Sequence, residues 1–210
     1  MTQYAFYFDQ AKCTGCKTCQ VTCKETYKLP ANNLYRRVLN YTGGTWTQTE
    51  TGHYAPEGIF GYFTSIGCNH CENPACVATC PTGAMQKDPD TGIVWTDHEV
   101  CIGCKTCQTA CPYEAPTYNE EAGYMQKCER CGGEIDAAAG EKPLCVTACP
   151  MRALDFGPKD ELIAKYGEGN IEIEPLPENT TDANLIINPH PQAQATNEGT
   201  GSVVTLIDEL

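Results

Sequence analysis

Sixteen cysteines constrain the fold of this 210-residue chain more than any other feature. The first and third of their four groups follow the spacing C-x2-C-x2-C-x3-C, and Pro112 follows the third group. In this ligand run, three thiolates hold one iron–sulfur cluster and the fourth reaches another. Four groups of four are enough for four 4Fe–4S clusters, which predicts a protein that conducts electrons. The four groups are Cys13, Cys16, Cys19, Cys23; Cys68, Cys71, Cys76, Cys80; Cys101, Cys104, Cys107, Cys111; and Cys128, Cys131, Cys145, Cys149.

Disulfides and zinc are the alternatives for so many cysteines. Disulfide-dense folds are usually small secreted domains with irregular spacings, and we expect no signal peptide at the start of this chain. Zinc sites also use paired C-x2-C units. They do not need a third close cysteine followed by x3-Cys-Pro, however, so the spacing favours iron–sulfur clusters over both alternatives.

Charge and hydropathy exclude two further classes of protein. The formal net charge is −13, and such a surface would repel nucleic acid. No apolar run approaches the ~18–20 residues that span a bilayer, so we expect no direct membrane span. Because the clusters replace part of the hydrophobic core, the metal-free chain is expected to fold poorly.

The sequence contains an internal repeat. Residues 13–23 nearly match residues 101–111, and residues 76–85 resemble residues 145–154. This alternation indicates duplication of a two-cluster module. Two pairings are compatible with it: groups one with two and three with four, or groups two with three and one with four.

The flanking segments favour the second pairing. After group two, the chain runs through residues 83–85, turns at residues 88–92 and comes back along residues 93–96. This pattern predicts a hairpin that leads into group three. The amino-terminal strand at residues 4–8 approaches group one in the same way. Its missing partner strand is supplied by residues 153–156, after group four.

Each cluster then takes three cysteines from one group and one from the partner group. The helix that carries the fourth cysteine runs away from its own loop and toward the neighbouring cluster. The predicted ligand sets are Cys13, Cys16, Cys19 and Cys149 for cluster 1; Cys23, Cys128, Cys131 and Cys145 for cluster 2; Cys68, Cys71, Cys76 and Cys111 for cluster 3; and Cys80, Cys101, Cys104 and Cys107 for cluster 4.

The predicted fold class is α+β, with two interleaved bacterial-ferredoxin-like dicluster modules, a β-hairpin insertion and an extended C-terminal tail. The hairpin is expected to turn at Gly43-Gly44, with residues 59–66 joining its sheet. The tail has small apolar islands at residues 185–187 and 203–207 but cannot build its own core, so it is either disordered or laid across a partner. The predicted domains are residues 1–27 plus 118–167 for module A, 28–66 for the insertion, 67–117 for module B and 168–210 for the partner-binding tail.

A few other residues lie close to the cysteines. No thiolate is missing beside His70, so packing or a hydrogen bond explains this histidine better than metal ligation. Lys17 and Lys105 occupy equivalent places in groups one and three, where they are either solvated or raise the potential of the nearby cluster. Arg130 and Arg152 allow the same two interpretations.

Several motifs resemble one known family. They are KCTGCKTC at residues 12–19, CNHCENPAC at 68–76, CPTGAM at 80–85, ACPYEAP at 110–116 and CPMRALDFGPKDEL at 149–162. The chain is similar, nearly to residue 190, to the iron–sulfur (B, electron-transfer) subunits of the dimethyl sulfoxide reductase family of molybdenum oxidoreductases. Since no group-three cysteine is replaced, the resemblance implies four 4Fe–4S clusters.

The resemblance also implies partners and a location. Such subunits are non-catalytic and relay electrons between a quinol-oxidising membrane anchor subunit and a catalytic subunit that holds molybdenum with bis-molybdopterin guanine dinucleotide. They lie peripherally at the membrane, on the extracytoplasmic face when exported as a passenger of the catalytic subunit, or in the cytoplasm. The module with groups one and four would face the molybdenum subunit. A freestanding soluble multicluster ferredoxin is the alternative, and the terminal substrate is not encoded in this chain.

Overall fold

The computed structural model describes residues 2–131 and 135–204. Short helices and small sheets are joined by loops, which confirms the predicted α+β class. The strands are β1 (Tyr4–Asp9), β2 (Arg36–Gln48), β3 (Tyr54–Gly67), β4 (Met85–Lys87), β5 (Val94–Thr96), β6 (Thr117–Asn119), β7 (Tyr124–Gln126), β8 (Leu154–Pro158), β9 (Leu185–Asn188) and β10 (Ser202–Val203). The helices are α1 (Thr18–Thr26), α2 (Ala75–Ala78), α3 (Thr106–Ala110), α4 (Leu144–Thr147) and α5 (Lys159–Tyr166).

Strand β1 is the centre of a three-stranded sheet ordered β8-β1-β9. It pairs antiparallel with β8, with Phe6 opposite Phe156 and Phe8 opposite Leu154, which confirms the predicted partner strand after group four. All six residues of β1 are buried because the sheet is covered on both faces. Phe6 and Phe8 point into the main core beside cysteines of groups one and four, while Tyr7 packs on α5 and β9.

The short helices after the cysteine loops pack in pairs. Helix α1, in group one, packs against α4, in group four, and α2 packs against α3. The predicted hairpin between groups two and three is confirmed, since β4 and β5 pair antiparallel with Met85 opposite Thr96. Groups one and four therefore lie together, as do groups two and three.

The insertion is a long hairpin, but its turn is not where we expected. Strand β2 continues through Gly43 and Gly44, pairs with β3 over its whole length, and has a bulge between Gly43 and Thr45. The chain reverses at residues 49–53, where the Thr49 amide donates to the His53 carbonyl at 2.7 Å. A side chain on Gly44, whose φ is 96°, would collide with the backbone of β3, so this glycine is needed for close strand approach at the bulge.

The tail from residue 168 is part of this chain's own core, which corrects the expectation that it lacks one. Its first apolar island forms β9, which pairs in parallel with the second edge of β1, and Ile186 and Ile187 are 1% and 0% exposed. The edge of β1 left open by β8 gives this short segment a place to bury. Strand β10 pairs with β2, and the rest of the island at 203–207, from residue 205 onward, lies outside the described residues.

One domain boundary also moves. Strands β6 and β7 form a hairpin, and Met125 in β7 packs with Met85, Val94 and cysteines of groups two and three. Residues 118–126 therefore pack with module B, whereas the sequence pattern assigned them to module A. The hairpin of β6 and β7 packs directly on the cysteine loop of group three. The approach is so close that a side chain on Gly103 would collide with Tyr118 and the Gly123 carbonyl.

Candidate metal centres

All sixteen cysteines are free thiols, so the fold uses none of them in a disulfide. Their thiols fall into four sets, each of which joins cysteines of two sequence groups. We number these thiol sets 1 to 4 in the order of the predicted clusters. Within each set the thiols interact electrostatically, and hydrogen bonds position several of them.

Thiol set 1 brings Cys149 of group four to group one. Burial, with smaller contributions from the thiols of Cys19, Cys149 and Cys16, raises the pKa of Cys13 to about 11. The exposed Cys16 differs, because the Thr18 hydroxyl lies 3.3 Å from its Sγ and this hydrogen bond lowers its pKa. The Ala153 amide donates to Cys149 Sγ at 3.4 Å and fixes the cysteine that comes from the other group.

Thiol set 2 brings Cys23 of group one to group four. Burial raises the pKa of Cys23, and the thiols of Cys128, Cys145 and Cys131 add to this effect. Burial raises the pKa of the Cys128 thiol to about 12, and its Sγ accepts a hydrogen bond from the Arg130 amide at 3.4 Å. Helix α1 supplies Cys23, which lies one turn after Cys19 on the same face of the helix.

Thiol set 3 lines a small cavity. Cys68, Cys71, Cys76 and Cys111 all face this space. Burial raises the pKa of Cys71 to about 11 and that of Cys76 to about 12, with the neighbouring thiols adding to both. The Thr181 hydroxyl donates to Cys71 Sγ at 3.1 Å, so the tail itself reaches this set.

Thiol set 4 is the most exposed. Burial raises the pKa of Cys107 to about 11, with contributions from the thiols of Cys101, Cys80 and Cys104. Cys104 is exposed, and a hydrogen bond with the Thr106 hydroxyl at 3.3 Å lowers its pKa. Backbone amides of β4 and β7 donate to Cys80 and Cys101, each at 3.4 Å.

Each set suits a thiolate-bound cluster. The structure places N–H and O–H donors on cysteine sulfurs in all four sets, and such hydrogen bonds tune iron–sulfur clusters. Buried thiols with raised pKa values keep their protons until a cation replaces them, so metal binding should release protons. Across residues 2–131 and 135–204, no three His, Cys, Asp or Glu side chains lie close enough to hold a single metal ion.

Buried donors without protein acceptors also surround the sets. His70 is fully buried, and its Nδ1 accepts the Val94 amide at 2.9 Å, which leaves the proton on Nε2. Burial, followed by Arg130 and Lys127, holds its pKa well below the usual range, so the ring is neutral. Among the described residues, His70 Nε2, Asn69 Nδ2, and Arg130 Nε and Nη1 have no hydrogen-bond acceptor. Sulfurs of a bound cluster can accept from such donors.

The expected hydrogen-bonding role of His70 agrees with this geometry, whereas the burial of three cations was not predicted. Arg36, Lys127 and Arg130 are each 3% exposed or less. Lys127 Nζ donates to the carbonyls of Val94 and Cys128, and Arg130 donates to the Tyr4 carbonyl. Lys and Arg are almost never fully buried without a partner. The alternation of Arg36 and Val38 on the buried face of β2 was the available signal.

Neighbouring thiol sets are linked in the order 1, 2, 3 and 4. Sets 1 and 2 share α1, whose Cys19 and Cys23 belong to different sets. Sets 2 and 3 meet where the Cys68 thiol interacts electrostatically with the Cys128 thiol. Sets 3 and 4 share the packed helices α2 and α3. The exposed Cys16 and Cys104 belong to the two terminal sets.

Comparison with known families defines the class of protein. Residues 59–159 match the model of a 4Fe-4S dicluster domain, and residues 10–29 match that of a 4Fe-4S binding domain. With the thiol sets described above, these matches make the chain a ferredoxin-like 4Fe–4S protein.

Its relatives define the family. The B subunit of the anaerobic dimethyl sulfoxide reductase of Haemophilus influenzae is 48% identical over 202 residues, which cover 96% of this chain and 96% of that protein. The corresponding subunit of Escherichia coli is 47% identical over 201 residues, which cover 95% of each protein. A thiosulfate reductase electron transfer subunit of Salmonella typhi is 37% identical over 176 residues, covering 81% of this chain and 84% of the relative. The chain belongs to the family of iron–sulfur B subunits of anaerobic dimethyl sulfoxide reductases.

The helices of the structure are short. Within residues 2–131 and 135–204, none is long and apolar enough to cross a membrane.

Proposed function

We propose that the chain relays electrons through four 4Fe–4S clusters, one on each thiol set. The ligands are Cys13, Cys16, Cys19 and Cys149; Cys23, Cys128, Cys131 and Cys145; Cys68, Cys71, Cys76 and Cys111; and Cys80, Cys101, Cys104 and Cys107. When bound, such clusters accept and release single electrons. The protein's part is to hold them at fixed spacing, exclude water and direct hydrogen bonds to sulfur.

The links between neighbouring thiol sets are the observation that supports this proposal best. Each set shares a helix, a helix pair or a thiol–thiol interaction with the next. An electron can therefore pass along the whole chain in short steps. The terminal sets are the ones with exposed thiols, Cys16 and Cys104, which suits entry and exit at opposite ends.

The family supports a place for this relay in a larger complex. Its partners would be a molybdenum subunit with bis-molybdopterin guanine dinucleotide, where substrate turns over, and a quinol-oxidising membrane anchor. The chain itself would be non-catalytic and peripheral at the membrane, on the extracytoplasmic side if it is exported together with the catalytic subunit. Module A, with sets 1 and 2, would face the molybdenum subunit, and module B the quinol side.

Anaerobic purification from the native source tests this proposal. We expect about sixteen iron and sixteen sulfide per chain, and a large molybdenum-containing subunit that travels with it. Near-stoichiometric zinc with little sulfide would contradict electron transfer. A fully loaded chain that purifies alone under gentle conditions would instead favour the freestanding ferredoxin.

A further inference from the structure

Arg36, at the start of β2, is a positive charge in the interior of module A. Its side chain is 3% exposed, and its guanidinium carbon lies 4.6 Å from the centre of the Phe6 ring. Nη1 donates to Ser65 Oγ at 3.2 Å and, more weakly, to the Ser65 carbonyl at 3.4 Å. Neither contact supplies a negative charge. An arginine stays protonated in proteins, so this guanidinium needs a counter-ion.

No carboxylate provides one. Among the ion pairs formed by residues 2–131 and 135–204, none involves Arg36, although its neighbour Arg37 pairs with Glu114 at 3.1 Å. A buried charge without a partner costs several kcal/mol. The groups near Arg36 that become anionic when a cluster binds are cysteine sulfurs.

Those sulfurs belong to two different thiol sets. On one side, Ser65 bridges from the guanidinium to Cys19 of set 1, with Ser65 Oγ 3.4 Å from Cys19 Sγ. On the other side, the guanidinium interacts electrostatically with the Cys145 and Cys128 thiols of set 2. The charge therefore lies between the two sets, shielded from water.

We propose that Arg36 is the shared counter-ion of clusters 1 and 2 and raises the reduction potentials of both. This inference rests on the ligand sets proposed above. Each reduction adds a negative charge to a cluster, and a buried cation beside it stabilises the reduced form. A single guanidinium placed between two clusters acts on both in the same direction. It leaves the driving force for transfer between them unchanged, because it stabilises the electron on either side.

Redox-poised electron paramagnetic resonance on the purified, cluster-loaded complex tests the proposal. In Arg36→Met, the two signals that Cys19→Ser and Cys145→Ser alter should shift together. At a fixed potential near the wild-type midpoint, their ratio of reduced to oxidised cluster should fall at least tenfold, which corresponds to about 59 mV for a one-electron couple. Clusters 3 and 4 should keep their potentials.

Two further variants separate charge from shape. Arg36→Lys keeps the charge but loses the planar fork, so the two potentials should fall by less than in Arg36→Met. Arg37→Met is the matched control, because it removes the same charge from the next residue, whose side chain points away toward Glu114. It should leave clusters 1 and 2 unchanged.

Iron and sulfide contents of each variant are measured first. If Arg36→Met does not assemble, Arg36→Lys alone decides, since it should lower the potentials of both clusters while keeping its iron. Fully loaded variants whose two potentials do not move, or in which one cluster moves alone, overturn the shared counter-ion. Wrong ligand sets would appear differently, as Cys19→Ser and Cys145→Ser altering the same cluster.

Discussion

Ile187 provides a sharp test of the tail as part of the core. Its side chain is 0% exposed, in strand β9, where it pairs with Phe8 of β1 and packs in the main core. We expect Ile187→Ala to destabilise the cluster-loaded protein. The strand pairing of the fold would be kept, but the core beside sets 1 and 2 would lose packing contacts.

The magnitude follows from the buried volume. Replacing isoleucine by alanine removes three methyl or methylene groups, each worth about 0.8 kcal/mol of transfer free energy. The remaining cavity adds to this, so the total is about 3–4 kcal/mol, within the usual range for such core substitutions. For a chain of this size, 1 kcal/mol corresponds to about 2–4 °C. The melting temperature should therefore fall by roughly 6–16 °C.

Anaerobic thermal denaturation, followed by the visible absorption of the clusters, measures this change. Ile59→Ala is the matched control, since Ile59 in β3 is 45% exposed and its truncation should change stability by less than about 0.5 kcal/mol. Truncation after residue 168, which removes all of β9, should prevent stable cluster assembly. Equal melting temperatures for the two alanine variants, or a truncated chain with full iron content, would refute the account of the tail.

Three further outcomes are expected. Burial alone would raise the pKa of Asp155, but hydrogen bonds from Lys142 and Tyr166 lower it well below the ordinary value. Its contribution to stability is therefore present above about pH 4, the unfolded value, and is lost as the pH falls through the folded pKa. Asp155→Asn should cost about 1–3 kcal/mol at neutral pH, and the difference from wild type should shrink under acid. Equal stability at neutral pH would contradict this. In the paramagnetic resonance spectrum, Cys23→Ser should alter the cluster held by group four and Cys149→Ser that held by group one. An effect of Cys23→Ser on a cluster held by group two would disprove the pairing. Cys104→Ser should stop quinol-driven turnover of the complex but not turnover with a small donor that reduces the molybdenum subunit directly. Unimpaired quinol-driven turnover without cluster 4 would reverse the proposed orientation.

The parts of the fold near the cysteines could be predicted from the sequence because metal ligation leaves a rigid spacing. The partner of β1 was found from an analogy between the approaches to Cys13 and Cys101, and the hairpin before group three from its turn residues. These features are local or are repeated within the chain. The four ligand sets, which the flanking segments favoured over the other pairing, stay a prediction, although thiols of each set interact electrostatically.

Other features depend on contacts that no local pattern encodes. A three-residue apolar island at residues 185–187 has no periodicity that distinguishes a free tail from a third strand on β1. Gly43-Gly44 satisfies the pattern of a turn, yet the same residues allow close strand approach at a bulge. Buried Arg36 has the sequence appearance of a surface charge. Its place follows from the thiols around it, which belong to distant segments.

The most direct test of the four-cluster relay is a coulometric titration of the anaerobically purified protein. If all four thiol sets hold 4Fe–4S clusters, the chain should take up about four electrons, one for each cluster. It should return them all to an added oxidant. Uptake of only about two electrons by a protein with undamaged thiols would contradict the assignment of a cluster to every set.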